Sequence, residues 1–169
     1  MLHSALTYGH PVSIRFPKAK VVGVRLDKKL RLIPPGKAEV LKKGKDLWLA
    51  LGSMVVPALN VANRLERRGI SLAVVNARFV KPLDEAMILA YARRGRTIIT
   101  AEEGVTAGGF GGAVRELLDR ERKFDVKFKA LGLPLDIYPL GTRDQVKTLY
   151  RLDEQGLEDQ IREFYKKTR

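Results

Sequence analysis

Four short apolar runs, at residues 47–51, 71–75, 97–101 and 126–131, alternate with segments whose apolar residues recur at helical spacing. A strand that is apolar at successive positions must be covered on both faces, and helices of ten or more residues between strands have the length of crossover connections. The pattern restricts the chain to the α/β class. It predicts a three-layer αβα arrangement in which right-handed crossovers join parallel strands.

Local signals mark the boundaries. The first run closes on Gly52, and Ser53 stands where it can cap a helix carrying Val56, Leu59, Ala62 and Leu65, with Gly69 as its stop. Asp84 occupies an N-cap position for a helix over 86–94 that ends at Gly95, and a glycine-rich turn leads into a helix over 110–122. Thr142 or Asp144 opens a helix through Leu149, and a terminal helix runs over 157–165. Upstream of the first run, residues 37–41 and 47–51 flank Lys-Lys-Gly-Lys-Asp, which reads as a hairpin turn adding one antiparallel edge strand. The expected sheet is thus five-stranded and mostly parallel. Residues 12–16 alternate between Pro11 and Pro17 and read as a separate strand, while residues 18–36 have no periodicity.

Composition removes several chemistries. The 169 residues include no cysteine, so a disulfide scaffold, a thiolate metal site and a Cys nucleophile are excluded. His3 and His10 are the only histidines, and they supply neither a metal cluster nor a triad. Acid–base work would fall to carboxylates or lysines. No apolar run approaches the roughly 20 residues of a membrane span, and the N-terminus has no signal-peptide core, which predicts a cytoplasmic location without a membrane partner. The formal charge of +13 is concentrated in the first half; residues 15–45 carry 11 basic side chains against Asp27 and Glu39. Such a run is either a solvated surface or an attractor for phosphates and acidic partners.

Few segments could carry chemistry. Glycines 104, 108, 109, 111 and 112 lie between a strand and a helix start, where backbone N–H groups can cradle a phosphate, yet no Walker or dinucleotide fingerprint is present and Glu102 and Glu103 precede the loop. Neighbouring residues on a strand face opposite ways, so these glutamates are not a ready-made acid–base pair, and one of them is expected either to cap the following helix or to meet an arginine of a partner. Arg78 can hold a carboxylate in fork geometry. Trp48 and Phe110 read as core or interface rather than as stacking platforms, because aromatics are not interleaved with the basic run as a nucleic-acid surface requires. Arg15, between Ile14 and Phe16, either grips a phosphate or lines a polar face.

The ordered set 11–17 (Pro-Val-Ser-Ile-Arg-Phe-Pro), 36–41, 51–53, 76–84, 100–104 with 108–111, and 131–134 resembles the C-terminal region of the 1-deoxy-D-xylulose-5-phosphate synthases, with the wider transketolase C-terminal fold. The resemblance implies a thiamine-diphosphate and Mg2+ dependent transferase that condenses pyruvate with glyceraldehyde 3-phosphate, releasing carbon dioxide, at the head of isoprenoid precursor synthesis and of thiamine biosynthesis. It implies that residues 1–19 are a remnant of the pyrimidine-binding middle domain, 20–36 a linker and 37–169 the complete third domain. Thiamine diphosphate and metal would be held by domains outside this segment, and no catalytic, cofactor-binding or metal-ligating residue is assigned within it.

Arg15 matches the family arginine associated with the acceptor's phosphate. Phe16, Lys18 and Ala19 replace the family's Tyr, Arg and Gly, and Leu133-Pro134-Leu135-Asp136 replaces its Leu-Pro-Asp. The chain is therefore expected to be an inert fragment with a structural and dimerising role, whose partners are the remaining domains and a second copy, and not nucleic acid. Two alternatives remain at this level: the C-terminal subunit of a split transketolase-like enzyme, and a freestanding basic module that holds an acidic partner or nucleic acid through Lys28, Lys29, Lys42 and Lys43.

Overall fold

The computed structural model describes residues 1–17, 28–93 and 96–168. Five strands form one sheet: β1 (Glu39–Lys42), β2 (Asp46–Ala50), β3 (Leu72–Asn76), β4 (Thr97–Val105) and β5 (Lys127–Leu133), in the order β1-β3-β2-β4-β5. Strands β3, β2, β4 and β5 are parallel neighbours, and β1 pairs antiparallel with β3.

Alternation along the strands sorts side chains to two covered faces. Trp48, Ala50, Leu72, Val74, Ile99 and Ala101 face α2 (Val55–Glu66) and α6 (Glu154–Thr168). Leu47, Leu49, Val75 and Ile98 face α3 (Glu85–Ala92) and α4 (Phe110–Arg120), where Ile88, Val114, Leu117 and Leu118 are buried. A short α1 (Leu2–Ala5) and α5 (Arg143–Leu149) lie outside these layers. The three-layer α/β architecture with one antiparallel edge strand is the one the apolar runs predict.

Three local expectations are corrected. The segment 37–51 is not a hairpin, because β3 lies between β1 and β2. The link crosses the start of β3 so closely that a Cβ on Gly44 would stand 2.1 Å from the Ala73 nitrogen, and the N–H groups of Lys45 and Asp46 donate to the Ser71 carbonyl. Ser53 caps nothing: it lies in a 3-10 turn (Gly52–Met54) that leads into α2 through Met54, with no side-chain cap. Residues 12–16 join no strand, since nothing among the described residues pairs with them. Strands exist by pairing, and alternation alone does not supply a partner.

Other signals hold. Asp84 accepts from the Met87 N–H at 3.4 Å and from the Ala38 N–H at 3.1 Å, tying α3 to the segment before β1. Thr142, not Asp144, caps α5 and forms a capping box with Gln145. Residues 28–33 are not free of the N-terminal segment, because the buried Ser4 hydroxyl accepts from the Ile33 N–H and the Tyr8 hydroxyl donates to the Ile33 carbonyl. Residues 18–27 of the expected boundary and linker, Lys18 included, lie outside the described residues, as does the expected stop at Gly95.

Candidate functional site

Open parallel sheets place their sites beyond the carboxyl ends of the strands. At that edge β4 runs four residues further than its apolar run, through Glu102, Glu103 and Gly104 to Val105, and its pairing with β5 is irregular between Ala101 and Val105. The two adjacent glutamates of this strand end take different tasks.

Glu102 is buried and accepts from the N–H groups of Phe110 at 3.0 Å and Gly111 at 2.8 Å, at the start of α4. An internal carboxylate thus fills the helix N-terminus that a phosphate would use. The glycines make this possible: a Cβ on Gly109 would lie 2.0 Å from the Val105 carbonyl oxygen and 2.6 Å from a Glu102 oxygen.

Glu103 points elsewhere and is gripped by α5. Both its oxygens accept from the Arg143 guanidinium, Nε donating at 2.9 Å and Nη2 to the other oxygen, and Lys147 Nζ stands at 3.6 Å. Hydrogen bonding to Glu103 raises the Arg143 pKa above its ordinary value against the opposing effect of burial. Arg143 and Lys147 were absent from the sequence reading, although their spacing of four on a capped helix puts them on one face and was the available signal.

Arg15 lies against the same strand end. Its Nη2 is 3.5 Å from the Glu103 carbonyl oxygen, at the outer limit of a hydrogen bond, and the side chain is exposed. Arg143 and Lys147 are already paired, so Arg15 is the arginine of this group whose fork is open to a phosphate or carboxylate.

The remaining candidates take structural places. Arg78, at φ +59°, bonds Glu39 through Nη2 alone at 2.5 Å rather than in the expected fork. Trp48 and Phe110 are core. His10 Nδ1 lies 3.1 Å from the Pro11 carbonyl oxygen, to which it can only donate, with its ring 6.0 Å from that of Tyr8. Among the described residues no group of three or more His, Cys, Asp or Glu is arranged to hold a metal. With the α4 N-terminus filled by Glu102, the residues at this edge do not fit a diphosphate cofactor with its metal. No helix among them is long and apolar enough to cross a membrane.

Comparison with known proteins agrees with this architecture. A protein-family profile described as transketolase, C-terminal domain, matches residues 36–157. The 1-deoxy-D-xylulose-5-phosphate synthase 2 of Geobacter sulfurreducens is 44% identical over 164 residues, 96% of this chain and 26% of that protein. The synthase of Desulforudis audaxviator is 49% identical over 135 residues, 79% of this chain and 21% of that protein. The chain thus spans about a quarter of the length of the curated relatives it matches. Among solved structures, one described as a split gene transketolase, inactive beta4 tetramer, superposes with a TM-score of 0.71 at 32% identity, covering 79% of this chain and 43% of that one. The transketolase of Campylobacter jejuni gives 0.55 at 23% identity over 75% of this chain and 18% of that one, a likeness of fold alone. The sheet order, the two covered faces and the profile match agree, and the chain belongs to the transketolase C-terminal domain family.

Proposed function

We propose that this chain is the C-terminal part of a thiamine-diphosphate-dependent 1-deoxy-D-xylulose-5-phosphate synthase, which joins pyruvate to glyceraldehyde 3-phosphate with loss of carbon dioxide in isoprenoid precursor synthesis. The observation that carries the reading is the 44% identity to such a synthase over 96% of the chain. In this reading residues 37–169 are the third domain, residues 1–19 end the middle domain, and 20–36 link them. Thiamine diphosphate and Mg2+ are held by the rest of the enzyme, and no step of the chemistry runs through residues of this chain other than binding at Arg15. The enzyme works in the cytoplasm as a homodimer.

Arg15 contacts the acceptor's phosphate. Support comes from its open guanidinium at the carboxyl edge of the sheet, beside a strand end that Arg143 and Lys147 hold through Glu103. The almost fully exposed Leu135, Ile137 and Leu140 support a role in docking the remaining domains.

A chimera tests the reading, with this chain replacing the matching quarter of the Geobacter sulfurreducens synthase. The chimera is expected to turn over pyruvate and glyceraldehyde 3-phosphate, and Arg15→Ala within it to raise KM for the phosphorylated acceptor by about tenfold or more, the value of a charge-assisted hydrogen bond, with little change for pyruvate. The chain alone is expected to be inert. Turnover by the isolated chain, or a folded but inactive chimera, overturns the assignment.

A further inference from the structure

The opposite, amino-terminal edge of the sheet carries a second concave feature. A cleft of about 250 Å3 between the end of α2 and the last turns of α6 is lined by Arg68, Ile70, Arg162, Tyr165 and Lys166. Its floor is firm. Ile70 is buried just before β3, and the Tyr165 hydroxyl donates to Asp46 Oδ2 at 2.6 Å while Asp46 Oδ1 accepts from the Thr97 N–H at 2.9 Å, which pins the ring across the starts of β2 and β4. Burial, with Asp46 as its acceptor, holds the phenol well above its ordinary pKa, so the ring adds no negative charge to the cleft.

The walls are cationic and weakly compensated. Arg68 Nε is 3.7 Å from Glu158 Oε1, and the other oxygen of that carboxylate is already bonded by Arg64 Nε at 2.7 Å. Arg162 Nη1 reaches Asp159 only at 3.6 Å, and Lys166 makes no ion pair among the described residues. Basic side chains near helix carboxyl ends complement the dipole without any ligand, but that effect does not call for a cleft with an apolar floor.

We propose that this cleft binds a small phosphate-bearing anion. The planar guanidinium groups of Arg68 and Arg162 fork phosphate oxygens, the Lys166 ammonium completes neutralisation, and the face of Ile70 and Tyr165 takes a short apolar portion of the ligand. Size limits the class. At about 250 Å3 the cleft falls just below the usual range of about 300–1,000 Å3 for drug-sized ligands, which favours a phosphate monoester or a diphosphate over a nucleotide.

Calorimetric titration of the 169-residue chain with inorganic pyrophosphate tests the proposal, with chloride at matched ionic strength as control. Binding is expected, and the double variant R162Q/K166Q should weaken it by at least about tenfold, the value of one lost charge-assisted contact. Lys28→Gln with Lys29→Gln, in the basic run, should leave it unchanged. R162K, which keeps the charge and loses the fork, should fall between, and it keeps the test sound if the double variant disturbs the fold. No heat up to ~10 mM pyrophosphate, equal loss from the two double variants, or binding of duplex DNA that depends on Lys28 and Lys29 and displaces pyrophosphate would each overturn it.

Discussion

Glu102 shows how one residue decides what an edge of the sheet can do. The first N–H groups of a helix lack intrahelical partners and attract an anion. Here two of them are taken by a buried carboxylate from the preceding strand, so the glycine-rich turn is a docking surface for the protein's own side chain. Glu102→Ala orphans both donors and is expected to destabilise the chain by roughly 2–4 kcal/mol, while Glu102→Gln, which keeps one acceptor oxygen, should cost about half as much. Urea unfolding of the three proteins, compared at constant m, measures the difference, and equal stability of the Ala variant and the parent would show that the cap is idle. Gly44 makes a different point. A Cβ there would sit 2.1 to 2.6 Å from the backbone of Leu72 and Ala73, so the chain must move if a methyl is added. Gly44→Ala is expected to cost at least about 1–3 kcal/mol through overpacking, read as a lower urea midpoint.

Between elements, a charge-assisted clamp joins α2 to α6. Arg64 donates to Glu154 at 2.8 Å and Glu158 at 2.7 Å, and Asn60 Nδ2 donates to Glu154 at 2.6 Å. Burial disfavours the ionised Glu154, but the hydrogen bonds from Arg64 and Asn60 outweigh it and hold its carboxyl below the ordinary glutamate value. A carboxyl whose pKa is lower folded than unfolded adds stability above the unfolded value, near pH 4.5, and loses it as pH falls through the folded one. Glu154→Gln should therefore flatten the acid limb of stability against pH by up to about 1 kcal/mol, a discounted figure for a side chain more than a third exposed to solvent. Identical acid limbs for parent and variant would remove the clamp from the account. None of these partners was legible in the sequence, because they lie some 90 residues apart. The strands and helices themselves were legible, since their apolar periodicity reports local burial. The hairpin misreading has the same root: Lys-Lys-Gly-Lys-Asp satisfies a turn equally well, and what displaces β1 to the edge is that both sides of β2 are taken by β3 and β4. At the site, strand geometry indicated only that Glu102 and Glu103 face apart, whereas the Glu102 cap on α4 and the α5 grip on Glu103 required the tertiary fold.

On the scale of the whole molecule, two opposed features meet: a formal charge of +13 and an apolar loop that no described residue covers. Leu135, Ile137 and Leu140 stand almost fully in water beyond β5, in a stretch steadied by the Tyr138 hydroxyl bonding the Pro134 carbonyl and by the edge-to-face packing of Tyr138 on Tyr150. A loop held in shape while it presents aliphatic side chains has the surface expected of the docking role proposed for it. Like charge keeps copies apart where screening is weak, over about 30 Å at 0.01 M salt, and loses that reach at about 3 Å in 1 M salt. Burial of the three side chains, worth about 1.5–3 kcal/mol each when complete, then outweighs repulsion. Sedimentation velocity is expected to show the isolated chain as monomers at low salt and associating species at high salt. The triple variant Leu135→Ser, Ile137→Ser, Leu140→Ser should remain monomeric in both, because its surface has lost the apolar area without changing the charge. Association that persists in that variant, or that weakens as salt rises, would place the contact in the charged surface instead and leave the loop without the docking role assigned to it.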